Sequence, residues 1–159
     1  MVTIELHPQV RPLAFLLGTW MGEGEGEYPT IQPFRYREEL RFWHNGKPFL
    51  AYQQRTSAIE DGRPLHGEMG FLRAGADQSL EFVIAQGIGL AEVEVGTVDG
   101  TRIELQSTFV GRTPTAKAVS GVRRVIWLEG ERLHYELAMA MANVPLTHHL
   151  SARFQRTGD

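Results

Sequence analysis

Side chains able to hold a metal or to carry acid–base or nucleophilic chemistry are few in this 159-residue chain. There are six histidines (His7, His44, His66, His134, His148 and His149) and no cysteine. The lack of thiols excludes disulfides, thiolate metal sites and cysteine nucleophiles. No Gly-x-Ser-x-Gly elbow is present, which leaves hydrolase chemistry without support. The adjacent His148 and His149 would project to opposite faces of a regular strand and would not converge on one ion, so a zinc site is not indicated. The stretch GTWMGEGEGEYPTI (18–31) alternates Gly22, Gly24 and Gly26 with Glu23, Glu25 and Glu27. In a strand, Trp20 and the glycines share one face, while the glutamates line the other and face water. Carboxylates in a row are not a paired acid–base site, and they repel phosphate. The spacing matches neither a phosphate loop nor a dinucleotide fingerprint. Arg35, Arg37 and Arg41 alternate with aromatics in FRYREELRFW. These, with Arg123 and Arg124, read as solvated strand faces paired with glutamates rather than as an anion site.

Such residues must be held by strands. Turn signals recur at short intervals: Asn45-Gly46, Asp61-Gly62, Gly75-Ala76-Asp77, Asp99-Gly100, Gly111-Arg112-Thr113-Pro114, Glu129-Gly130 and Asn143-Val144-Pro145. The runs between them alternate or are rich in β-branched and aromatic residues. They predict about ten strands, over 18–27, 34–43, 48–59, 65–73, 80–86, 90–98, 101–110, 121–129, 132–141 and 147–156. Only HPQVRPLAFLLG (7–18) suits a short helical turn. No linker or helical crossover divides the chain, so residues 1–159 read as one all-β domain. An antiparallel up-and-down barrel of about ten strands, lipocalin-like in shape, satisfies every edge and is wide enough for one small ligand; a sandwich is the alternative. The side-chain-free glycine face then either bends sharply in the barrel wall or admits something bulky and flat. The apolar hairpin tip Tyr28–Ile31 is suited to fold over the mouth.

Composition narrows the partners. With 42% hydrophobic and 22% charged residues the chain builds a globular core, and a net charge of −3 without a Lys/Arg cluster gives no nucleic-acid surface. MVTIELHPQV lacks the charged start and apolar core of a signal peptide, and no apolar run approaches a spanning helix. A cytoplasmic protein without membrane partners is expected.

Four segments, taken together, are more specific than any single motif. They are Gly18-Thr19-Trp20-x-Gly22-x-Gly24-x-Gly26-x-Tyr28-Pro29-Thr30-Ile31, Pro64-Leu65-His66-Gly67-Glu68-x-Gly70-Phe71, Ile84-Ala85-Gln86-x-x-Gly89-Leu90-x-Glu92 and Thr147-His148-His149-Leu150-x-Ala152. In this order the chain resembles the nitrobindin family, haem-binding β-barrels related in shape to fatty-acid-binding proteins. The resemblance implies a ten-stranded barrel with one b-type haem per chain near its mouth. A histidine on the last strand binds the iron, and the opposite iron face is open and largely apolar. It implies a protein that binds nitric oxide and, in its ferric form, isomerises peroxynitrite to nitrate. By the family motif the iron ligand is His149, the histidine directly before Leu. Thr30 and Ile31 pack on the macrocycle, Met139 lies against it, Leu65 and His66 lie beside the distal pocket, and Gln86 borders it. The glycines of residues 22–26 let the chain pass close to the macrocycle.

Strand parity gives a different answer for the ligand. His148 shares a face with Leu150, Ala152 and Phe154, whereas His149 shares one with Ser151, Arg153 and Gln155. If the apolar face lines the barrel, His148 points in. Ligand-holding barrels often carry polar residues inside, however, and Pro145 permits a bulge that shifts the register. His149 is the expected ligand on the motif. The rival functions on the same barrel are a non-enzymatic carrier or sensor of haem, nitric oxide or a fatty-acid-like ligand, and a structural barrel with no ligand. A homodimer through an outer barrel face is a further expectation.

Overall fold

A computed structural model of the chain describes residues 2–159. The alternating runs form ten antiparallel strands: β1 (Gly18–Tyr28), β2 (Ile31–Trp43), β3 (Phe49–Ala58), β4 (Pro64–Ala74), β5 (Ser79–Gln86), β6 (Leu90–Asp99), β7 (Arg102–Arg112), β8 (Val119–Glu129), β9 (Arg132–Met141) and β10 (Val144–Gly158). Each strand pairs with its sequence neighbours, and β1 pairs with β10 to close the barrel. The expected meander is therefore observed. The last strand is longer than expected because Val144–Leu146 extend it past Pro145. Among the described residues, no helix is long and apolar enough to cross a membrane.

One end of the barrel is plugged. Pro8–Leu16 form a 3₁₀ helix, with Pro8 opening it and Pro12 inside it. Val10, Leu13 and Leu16 recur every three residues, the period of a 3₁₀ helix, and all three are fully buried. They pack against β3 and β4. Trp20 Nε1 donates to the Leu16 carbonyl at 2.8 Å. Arg156 donates to the carbonyls of Phe15 and Leu17, and its guanidinium lies 4.4 Å from the centre of the Trp20 ring. Trp20, Phe42, Phe82 and Phe154 fill the core above the plug. Each such side chain contributes about 1.5–3 kcal/mol through burial.

The opposite end, where β1 meets β2 across Pro29–Thr30, is open. The glycine row of β1 has two structural causes here. A Cβ on Gly22 would run into the Arg153 carbonyl of β10, so the strands close only with glycine at this point. Gly24 lies under the Tyr36 ring and Gly26 under the Phe34 ring. The flat groups seated on Gly24 and Gly26 are the chain's own aromatics, a close approach of the kind the glycine face admits. Glu23, Glu25 and Glu27 face water as expected. Gly24→Ala is expected to cost about 1–3 kcal/mol, because the Tyr36 ring must move. Gly22→Ala is expected to cost more than Gly24→Ala, because its obstacle is main chain. Urea unfolding midpoints of the two variants against wild type check both the size and the order.

Candidate functional site

The open half of the barrel encloses a cavity of about 1110 Å³. That is at or just above the upper limit usual for small-ligand pockets, ~300–1,000 Å³. Thr30, Ile31, Leu65, His66, Gln86, Met139 and His149, drawn from five different strands and a turn, all line it. Thr30 and Ile31 come from the β1–β2 hairpin, Leu65 and His66 from β4, and Gln86 from the end of β5. Met139 lies in β9, and its carbonyl accepts from Tyr28 Oη at 3.0 Å, which ties the last residue of β1 to the cavity wall.

His149 is set by a bulge. On β10, His148 pairs with Ala138 of β9, and Leu150 pairs with the next residue, Leu137. His149 is thus an extra residue without a β9 partner, and strict parity fails at this point. Its ring packs edge-on against Tyr28, with centroids 5.3 Å apart, and against Phe34 at 6.4 Å. Nδ1 lies 2.9 Å from the Glu27 carbonyl oxygen. A carbonyl only accepts, so Nδ1 carries the proton and the lone pair of a neutral ring is on Nε2. Nε2 has no hydrogen-bond partner among the described residues. Burial pushes the His149 pKa below the ordinary histidine value, against the opposing pull of the Glu27 carbonyl. His148 is exposed.

The cavity floor is charged, which the sequence reading did not anticipate. Arg124 is buried, a correction to its reading as a solvated residue. Its Nε donates to Glu94 at 3.1 Å, one terminal nitrogen donates to Glu68 at 3.0 Å, and the other to Glu92 at 2.9 Å. Tyr52 Oη donates to Glu68 at 2.7 Å, and His66 Nε2 lies 3.2 Å from the other Glu68 oxygen. Gln86 donates to Glu92 at 2.5 Å. Alongside runs a second chain, in which Tyr36 meets Tyr135 at 2.6 Å and Tyr135 donates to Glu38 at 2.6 Å. Burial and parity would have revealed these residues had the inner face been known. Arg124 alternates with Val122 and Ile126, and Glu92 and Glu94 with Leu90 and Val98, all of them buried.

Carboxyls of this floor are pushed in opposite directions: Glu68 is lowered, whereas Glu38 and Glu94 are each raised to about 8, Glu94 by burial against the pull of Arg124. Burial raises Glu68, but the Arg124 guanidinium and the hydrogen bonds from His66 and Tyr52 outweigh it and hold the pKa at about 2. Burial raises Glu38 to about 8, against the hydrogen bonds from Tyr135 and Gln54. A depressed acid such as Glu68 contributes stability above its unfolded pKa that is lost as pH falls toward 2. A raised acid such as Glu38 has the opposite sign: its contribution is full below about 4.5 and is lost as pH rises through about 8. Stability measured by urea midpoints is expected to decline from pH 5 to pH 9, with a local slope of up to ~1.4 kcal/mol per pH unit for each of the two raised acids, Glu38 and Glu94. Glu38→Gln is expected to lessen that limb, the remainder coming from Glu94, while leaving the acid limb in place.

Comparison with known proteins agrees with this architecture. A family model described as the THAP4-like, heme-binding beta-barrel domain matches residues 9–156. A Mycobacterium marinum protein named peroxynitrite isomerase 2 is 48% identical over 156 residues, covering 96% of this chain and 97% of that protein. An Arabidopsis thaliana protein named peroxynitrite isomerase Rv2717c is 49% identical over 149 residues, covering 92% and 88%. The crystal structure of Rv2717c from M. tuberculosis superposes with a TM-score of 0.90 at 44% identity, covering 96% of this chain and 99% of that one. Fold, length and sequence agree from the 3₁₀ plug to the last strand, and the chain belongs to the THAP4-like heme-binding β-barrel family.

Proposed function

We propose that the chain is a cytoplasmic protein that holds one b-type haem per barrel through His149 and isomerises peroxynitrite to nitrate. The observation that carries this reading is the His149 ring. Its Nδ1 is engaged by the Glu27 carbonyl at 2.9 Å, and its Nε2 is without a protein partner in a cavity-lining position. Metal-binding histidines are commonly oriented in this way, by a hydrogen-bond acceptor on the other nitrogen. The residues present fit a planar macrocycle. Ile31, Leu65 and Met139 offer apolar contact in a cavity of about 1110 Å³ open at the β1–β2 end.

When bound, ferric haem supplies the electrophilic centre for the O–O rearrangement of peroxynitrite to nitrate. The chain's own residues do the rest. Glu27 and Tyr28 fix the plane of the His149 ring, and burial keeps that ring neutral. Met139 lines the same cavity. Thr30, Ile31 and Leu65 shield the site from bulk water, and Gln86 is tied back to Glu92, clear of the apolar wall. His66, held by Glu68, is the polar group at the edge of the pocket. Nitric oxide binding is assigned to the same pocket. The reading also includes a homodimer through an outer face, which leaves both mouths open.

A fatty-acid carrier in this barrel needs a free cation for the ligand's carboxylate. Arg124 is buried in the floor but spends its nitrogens on Glu68, Glu92 and Glu94. The floor therefore repels a carboxylate, which favours haem over a lipid. Titration of the protein with hemin is expected to give a saturable 1:1 shift to a histidine-ligated ferric spectrum. His149→Ala is expected to lose that signature and to abolish the haem-dependent acceleration of peroxynitrite decay, whereas His148→Ala keeps both. Loss in His148→Ala alone, or no saturable shift in the wild type, overturns the assignment.

A further inference from the structure

The four tyrosines of the chain, Tyr28, Tyr36, Tyr52 and Tyr135, are all buried, and all line the same cavity. Each hydroxyl is hydrogen-bonded, but the acceptors differ in what they can do with a proton. Tyr28 donates to the Met139 carbonyl at 3.0 Å, and a main-chain carbonyl does not take up a proton. Tyr52 donates to Glu68, whose carboxylate is held by Arg124 and His66 and is a weak base. Tyr135 donates to Glu38 at 2.6 Å. Its one proton is spent there, so the 2.6 Å contact between Tyr36 and Tyr135 is a bond donated by Tyr36. The result is a directed chain in the cavity wall, from Tyr36 to Tyr135 to Glu38. Arg124 gives its nitrogens to Glu68, Glu92 and Glu94 and none to Glu38. Glu38 is therefore the basic carboxylate among those that accept from a tyrosine, and burial raises it to about 8.

We propose that the Tyr36–Tyr135–Glu38 chain is a proton-coupled electron donor that quenches nitrogen dioxide radical inside the cavity. Peroxynitrous acid releases this radical when its O–O bond breaks homolytically. The source of the radical thus rests on the proposed peroxynitrite chemistry; the step itself does not, and it uses no residue that holds His149. One electron passes from the Tyr135 phenol to the radical, which becomes nitrite. The Tyr135 O–H bond breaks, and its proton forms an O–H bond on Glu38 Oε2. The carboxylate charge lost at Glu38 reappears on nitrite, and a neutral phenoxyl radical is left on Tyr135. Burial pushes the Tyr36 and Tyr135 phenols above the ordinary tyrosine value, so no phenolate is at hand and electron and proton leave together. Such a transfer needs a base within hydrogen-bond reach, and only Tyr135 has a basic one. Tyr36 goes on donating to the phenoxyl oxygen and stabilises it. The Phe154 ring, 5.8 Å from the Tyr135 ring, walls its core side. A second nitrogen dioxide radical that couples to the ring carbon beside the oxygen, with the displaced ring hydrogen moving to that oxygen, leaves 3-nitrotyrosine.

Pulse radiolysis of the full chain in nitrite solution supplies nitrogen dioxide radical without peroxynitrite or haem, so the outcome is independent of the His149 assignment. A phenoxyl signal, read by absorption and by electron paramagnetic resonance, is expected in the wild type. It is expected to be lost in Tyr135→Phe and kept in Tyr28→Phe and Tyr52→Phe. Glu38→Gln keeps a hydrogen-bond acceptor but takes no proton, and its rate of phenoxyl formation is expected to fall ~100-fold. The charged and titratable groups around Glu38 are Tyr36 on its own strand, Tyr135 of β9, Glu68 of β4 and Arg124 of β8. Of these and Glu38, only Glu38 titrates between pH 7 and pH 9. The wild-type rate is therefore expected to rise across that range as Glu38 ionises, and the rate of Glu38→Gln is not. Peptide mass spectrometry of the exposed wild type, which needs no variant to fold, is expected to find nitration on Tyr135 ahead of Tyr28 and Tyr52. Absence of a phenoxyl radical overturns the proposal. So does a tryptophan radical in its place, a signal that survives Tyr135→Phe, a rate indifferent to Glu38→Gln, or nitration that favours Tyr28 or Tyr52.

Discussion

Closing the barrel requires the first strand to lie against the last, and this seam sets the geometry around it. β1 and β10 pair along most of their length, with Gly22 opposite Phe154, Gly24 opposite Ala152 and Gly26 opposite Leu150. Any side chain at Gly22 would meet the β10 main chain, and side chains at Gly24 or Gly26 would meet the rings of Tyr36 or Phe34. Glycine in a strand ordinarily weakens it. Here it removes the steric barrier to closure and makes room for two aromatics that wall the cavity. The same seam brings the end of β1 beside the β10 bulge, so the Glu27 carbonyl reaches His149 Nδ1. The orienting acceptor is main chain in a paired strand. It has no rotamer freedom, and the imidazole inherits the rigidity of the barrel wall.

The second constraint is electrostatic. Burying Arg124 with three carboxylates costs several kcal/mol per ion unless geometry and hydrogen bonds offset it. Each guanidinium nitrogen accordingly has a carboxylate partner within 3.1 Å. Glu68 receives a further hydrogen bond from Tyr52. The network reaches the mouth through His66, so that edge of the cavity is mechanically tied to the floor. The interior thus divides along its axis into an apolar plug, a saturated ionic floor and a pocket walled by apolar side chains and imidazole. A saturated floor rejects carboxylates and fixes His66, whereas an unpaired Arg124 would attract anionic ligands past the mouth.

The number of strands, their order and most boundaries were legible from Asp-Gly and Asn-Gly turns separating alternating runs. Six of the seven cavity residues lie in the four motif segments and the family resemblance added Met139; the fold gathers all seven from across the chain. Parity, by contrast, gave the inner face only where apolar residues point inward. In β6 the residues that look like core, Val93 and Val95, face out, while Glu92 and Glu94 are buried. Arg124 escaped notice for the same reason: its partners come from β4 and β6, and no local pattern on β8 announces them. Long-range charge pairing is a property of the closed barrel and leaves no periodic trace in any one strand. The outward valines and phenylalanines of β4 to β7 are the other half of that inversion.

The difference between two neighbouring imidazoles follows from a single unpaired residue. Without the bulge, β10 would alternate regularly back from Leu150, and His149 would fall on the outer face. With it, His149 turns against Tyr28 and Phe34 and loses much of its water. A metal competes with protons for the imidazole lone pair, so ligand strength at neutral pH depends on keeping the ring unprotonated. Burial lowers the His149 pKa, and the Glu27 carbonyl, which binds the Nδ1 proton, leaves Nε2 as the basic nitrogen. His148 has neither the burial nor that acceptor, and Arg123 of β8 sits opposite its own β9 partner, Ala138. The bulge therefore sets apart the imidazole proposed as the iron ligand, biases it toward the neutral form and leaves Nε2 as the nitrogen it offers.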